Sequence, residues 1–94
     1  MRVRWTRTAL DNLDGLAGYI ERENPPAAAR MIERIHSAIQ NLAAHPSMGK
    51  PGRVPGTREL VVAGTPFIVP YRVRESTIEI LRVFHASRRW PDDF

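Results

Sequence analysis

Cysteine is absent from the chain, so it can form neither a disulfide framework nor a thiolate metal site. Lysine is nearly absent: Lys50 stands alone beside thirteen arginines. Cationic recognition therefore falls to planar guanidinium groups, which suit bidentate pairing with phosphate or carboxylate. No apolar run approaches ~18 residues, so the sequence offers no membrane-spanning helix. The N-terminus lacks the apolar core of a signal peptide, and a soluble cytoplasmic protein is the expectation. There are no internal repeats and no low-complexity tract. His36, His45 and His85 show no ligand-cluster spacing, so neither a metal nor a cofactor is expected. Ninety-four residues make one domain, 1–94, with no room for a second catalytic domain. A domain of this size buries only roughly 60–65% of its unfolded surface, which leaves a thin stability margin.

What is present is basic and unevenly distributed. The formal charge is +4, and the apolar fraction of 43% suits a globular fold. Residues 1–45 carry six basic and five acidic groups, while residues 46–94 carry eight and five, so the excess sits in the second half.

Arg2-Val3-Arg4-Trp5 alternates as a short strand, and Thr6 is placed to cap a helix. Leu10, Leu13, Ala17 and Ile20 recur at steps of three and four, the spacing of one helix face. Gly15 and Gly18 cost up to ~1 kcal/mol each inside a helix, which predicts close approach of a second helix. Asn24-Pro25-Pro26 ends this helix and starts the next, whose stripe is Ala28, Met31, Ile32, Ile35, Ile39 and Leu42. Prolines and glycines mark 46–57 as a surface loop, and three β-type runs follow at about 58–63, 67–74 and 78–84. The turns are read as Gly64-Thr65-Pro66 and Glu75-Ser76-Thr77. The order β-α-α-β-β-β predicts an α+β domain, a helical hairpin on one face of a mostly antiparallel sheet. Pro70 cannot donate to a ladder, so its strand is either at an edge or bulged there.

Alternation sorts the arginines. The simplest assembly puts Arg2, Arg4, Arg72 and Arg82 on the helix-free face beside Ile68, Ile80 and Phe84. A merely solvated face would carry Thr, Ser, Lys and Glu instead, so this one is expected to bind a partner. Arg88, Arg89 and Trp90 extend it as a cation–aromatic tail. His85, at a strand end, is of the residue type that serves as general acid or base. Strict alternation points it away from Arg82, so joint action requires a twist or bulge at the strand end.

The chain resembles the ParE/RelE superfamily of toxins from type II toxin–antitoxin systems. The resemblance rests on Asp11-Asn12-Leu13, Tyr19-Ile20, Leu42-Ala43-Ala44-His45-Pro46 with Gly49, Val54 to Val61, Tyr71-Arg72-Val73, and Arg82 to Pro91. It spans nearly the whole chain, and the finish looks most like the ParE branch. It implies a RelE/ParE-like fold and a toxin neutralised by a cognate antitoxin in a hetero-oligomer. The ParE-like reading is inhibition of DNA gyrase by binding, without catalysis. The alternative is a RelE-like ribosome-dependent mRNA endonuclease, in which Arg58, Arg82 and His85 would hold the phosphate and move protons. A third possibility is a nontoxic remnant that only binds an antitoxin. The lysine-rich face and C-terminal tyrosine of many such nucleases are missing here, which favours the ParE-like reading.

Overall fold

The computed structural model describes residues 1–87, 90 and 94. β1 (Arg2–Trp5) leads into α1 (Arg7–Glu23) and α2 (Pro25–Ala44). β2 (Lys50–Pro51), β3 (Arg58–Val61), β4 (Phe67–Arg74), β5 (Thr77–Ile80) and β6 (Phe84–His85) follow. The sheet order is β1-β5-β4-β3-β2, with β6 added beside β4. β1 runs parallel to β5, and the other pairings are antiparallel. The α+β architecture is the one the pattern predicts.

The Thr6 hydroxyl accepts the Ala9 N–H and so caps α1. Asn24 alone joins the helices: its N–H closes α1 on Ile20, and its Oδ1 accepts the Ala27 N–H of α2. The prolines after it occupy positions whose N–H groups have no helical partner. α2 buries Met31, Ile35, Ile39 and Leu42 against Leu60, Val69, Tyr71, Ile78 and Ile80 of the sheet. α1 buries only Ala9 fully; Leu13, Leu16, Ala17 and Ile20 are half-buried at the edge of the core. Leu10 and Ile32, which periodicity put in the stripes, are 40% and 42% exposed.

The two helix glycines do not serve close packing, contrary to expectation. Nothing lies within 4 Å of a Cβ built at Gly15 or Gly18. Close approach occurs instead at Gly49, where a Cβ would sit 2.6 Å from Cε1 and the hydroxyl oxygen of Tyr71. Tyr71 is fully buried, donates to the Pro46 carbonyl at 2.7 Å and accepts the Gly49 N–H at 2.9 Å. One phenol thus ties the loop after α2 to the central strand.

Two features differ from simple alternation. The β4–β5 turn has two residues: Arg74 pairs with Thr77, and Glu75 and Ser76 both have positive φ, 51° and 62°. This moves the register by one residue from a turn over 75–77, and a one-residue slip exchanges faces. Ile80 therefore pairs with Tyr71 and lies in the helix-side core, fully buried, which corrects its placement on the open face. Further along, Tyr71 and Ile68 of β4 enclose two residues, while their partners Ile80 and Phe84 enclose three. The extra residue is a β-bulge opposite Pro70, which lies in an interior strand. The two offsets cancel at Phe84, which pairs with Ile68 on the open side, while His85 pairs with Phe67 on the helix side.

Candidate functional site

The open face holds a carboxylate that the alternation reading, with Ile80 outward, turned to the other side. Glu79 pairs across the strands with Arg72, and its two oxygens receive Arg72 Nε (2.6 Å) and Arg4 Nη2. Hydrogen bonds from Arg4 and then Arg72, outweighing the cost of burial, hold the Glu79 pKa down at about 2. Two of the four strand arginines therefore share one buried acid, and the triad carries one net positive charge rather than two. Arg2 is exposed at the edge strand β1 and forms no ion pair among the described residues.

A second acid–arginine pair lies nearer the tail. Glu59 is 2% exposed and pairs across the sheet with Pro70. Its Oε2 accepts the Arg53 N–H at 2.8 Å. Its Oε1 is 3.5 Å from Arg53 Nε, close enough for an ion pair but without a hydrogen bond. The Arg53 guanidinium lies 4.0 Å over the Trp90 ring, and Trp90 meets Phe84 edge-on at 4.9 Å. Phe94 packs on both rings, with Arg82 5.3 Å from it. Ile68 is only 7% exposed beneath this cluster. Much of the apolar patch expected to await a partner is thus covered by the chain's own tail. Arg88 and Arg89 lie outside the described residues.

The three groups a nuclease reading would combine are not brought together. Arg58 pairs with Tyr71, and its Nη1 donates to the carbonyls of Gly49 (2.7 Å) and Ser47 (3.3 Å). His85 pairs with Phe67, four residues further along β4, which is about 13 Å at the rise of a strand. Arg82 is on the tail side and donates to the Leu81 carbonyl at 2.8 Å.

One concavity was not anticipated. A groove of about 750 Å³ runs between α1 and the β6 end of the sheet. Leu16, Ile20, Phe67 and Val83 form its apolar lining, with Asp11, Tyr19, His85 and Ser87 at the rim. Tyr19 is 68% exposed, and Gly15 leaves the α1 wall open. His85 Nδ1 accepts the Ser87 N–H at 3.2 Å and lies 2.7 Å from Ser87 Oγ, and its ring meets Phe67 edge-on at 5.9 Å. The helix glycines, read as packing residues, were the available signal for this opening. Glu59, Glu79 and Arg53 were also missed, and correct strand register would have located the two acids. No cluster of metal-ligating side chains occurs among the described residues. No helix there is long and apolar enough to cross a membrane.

Comparison with known proteins agrees with this architecture. A family model described as "ParE toxin of type II toxin-antitoxin system, parDE" matches residues 3–90. The chain is 50% identical over 90 residues to "Putative toxin Y4kP" of Sinorhizobium fredii, covering 96% of this chain and 93% of that one. It is 37% identical over 87 residues to Toxin RelE2 of Caulobacter vibrioides, covering 93% and 97%. Among solved structures, the chromosomal ParDE TA system from P. aeruginosa superposes with a TM-score of 0.81 at 32% identity, covering 90% and 95%. The toxin–antitoxin complex RelBE2 from Mycobacterium tuberculosis gives a TM-score of 0.59 at 31% identity, covering 89% and 95%.

Proposed function

The chain belongs to the ParE toxin family of type II toxin–antitoxin systems, and from that premise we propose that it acts by binding its target, DNA gyrase, rather than by cutting RNA. The observation that carries this reading is the dispersal of Arg58, Arg82 and His85. General acid–base cleavage needs proton donor, acceptor and phosphate-holding cation around one phosphate. Here one arginine is bonded to loop carbonyls, the other faces the tail, and the histidine lines the α1 groove.

The antitoxin partner is supported by the similar structures, which are toxin–antitoxin systems. The α1 groove, with its apolar lining and open Gly15 wall, suits an amphipathic segment of that antitoxin.

Purified protein titrated into a gyrase supercoiling reaction tests the target. Loss of supercoiling, restored by the product of the adjacent small gene, is the expected result. Unchanged supercoiling at large molar excess, together with mRNA cut at the ribosomal A site in expressing cells, would instead establish the nuclease reading. Gly15→Met, a good helix former that projects into the groove, is expected to weaken antitoxin capture while the helix content holds.

A further inference from the structure

The strand end that carries Phe84 and His85 sits in a register that the ladder itself does not enforce. Pro70 accepts the Leu81 N–H at 2.9 Å but has no N–H to return to Leu81. Beyond it, three residues of one strand face two of the other, and the bulge leaves the Val83 N–H without a strand partner. Val83 is 2% exposed, so an unpartnered donor there would be costly. Its partner comes from outside the sheet: Asn12 Oδ1, on the second turn of α1, accepts it at 3.1 Å. The start of the same helix holds the other end of the bulge. The Thr6 N–H and hydroxyl both donate to the Ile80 carbonyl, at 3.1 and 2.8 Å.

We propose that Asn12 is a positioning residue that decides which face of the sheet Phe84 and His85 occupy. Without the bulge, the β4–β5 pairing would continue unbroken, setting Phe84 opposite Phe67 and His85 opposite Pro66. Phe84 would then turn into the α1 groove, and His85 would turn onto the arginine-bearing face. The side-chain acceptor on α1 stabilises the bulged alternative because it satisfies the one donor that alternative orphans. The proposal concerns the strand end alone and stands whether or not the chain acts on gyrase.

The test compares Asn12→Asp, which keeps the acceptor, with Asn12→Leu, which keeps the approximate shape. NMR of the full-length protein reads two things: cross-strand contacts between Phe84 and Ile68 and between His85 and Phe67, and exchange protection of the Val83 amide. Asn12→Asp is expected to keep both contacts. Asn12→Leu is expected to lose both and to lower Val83 protection by about tenfold or more, the effect of one unsatisfied buried donor. Both contacts at wild-type strength in folded Asn12→Leu would overturn the proposal, as would their equal loss in Asn12→Asp. If Asn12→Leu does not fold, Pro70→Val decides, because it restores the missing donor and makes the unbulged ladder available. Retention of the Phe84–Ile68 contact in Pro70→Val supports Asn12 as the determinant; a switch to Phe84–Phe67 refutes it.

Discussion

Tyr71→Phe isolates one hydroxyl whose two hydrogen bonds close the loop between α2 and β2. The ring stays, so core volume is unchanged and the perturbation is purely polar. On one side the Gly49 N–H is left buried without an acceptor. A buried unsatisfied donor costs about 1–3 kcal/mol. On the other side the Pro46 carbonyl is half-buried and can recover some hydration, so its loss adds about 0.5–1 kcal/mol. The sum is about 1.5–4 kcal/mol, a large share of the stability of a domain this small. A 2 kcal/mol loss lowers the melting temperature by roughly 8–16 °C at this chain length. Urea unfolding followed by circular dichroism should show a lower midpoint with an unchanged slope, since the exposed area on unfolding is the same. Gly49→Ala attacks the same junction sterically, because its Cβ would fall 2.6 Å from the phenol. Either change detaches the same loop, so the double variant should be less destabilised than the sum of the singles. A Tyr71→Phe loss under about 0.5 kcal/mol, or strict additivity with Gly49→Ala, would refute the idea that this hydroxyl holds the loop.

Two further outcomes follow from the hairpin and its acid. Glu79 titrates at about 2 when folded, below its ordinary value of 4.5, so its contribution to stability is fully present above the unfolded value and is lost as pH falls from about 5 through 2. The arginines are 58% and 37% exposed, which reduces the effect to on the order of 1 kcal/mol. Glu79→Gln should flatten the stability–pH profile in that window, and an unchanged profile would show that other carboxylates govern acid unfolding. Ser76→Gly relieves a positive φ of 62° at a site with no glycine. It should raise stability by about 0.5–1 kcal/mol in the same urea assay, with a loss counting against the two-residue turn.

That turn also explains why the candidate face was only partly legible in the sequence. Two-residue hairpins with positive φ at both positions are usually announced by Asn-Gly or Asp-Gly. Glu75-Ser76 gives no such signal, so the turn reads one residue too long, and Ile80 and Glu79 exchange faces. The chemical consequence is large. One error places an isoleucine on the outer surface and hides the acid that neutralises part of the arginine charge. The helices were more legible because their signals are local: Thr6, Asn24 and the prolines act within one turn of where they stand. Pro70 is an intermediate case. Its missing donor predicts a bulge or an edge, and only the neighbouring strands decide between them.

Several stretches that carry the family resemblance turn out to hold the scaffold. Asn12 holds the bulge, and Pro46, Gly49 and Tyr71 close the loop. None of these contacts requires a particular target. A chain that keeps them keeps the fold, whatever its exposed side chains recognise. On the proposed reading, target recognition falls to residues that the scaffold leaves free, such as Arg2, Tyr19 and the rim of the α1 groove. This separates two inferences that the sequence presents together. Fold and family rest on buried and bonded positions, where one wrong atom costs kilocalories. The proposed choice between a gyrase and a ribosome-bound message rests instead on where Arg58, Arg82 and His85 stand, and a binding or cleavage assay is what reads it.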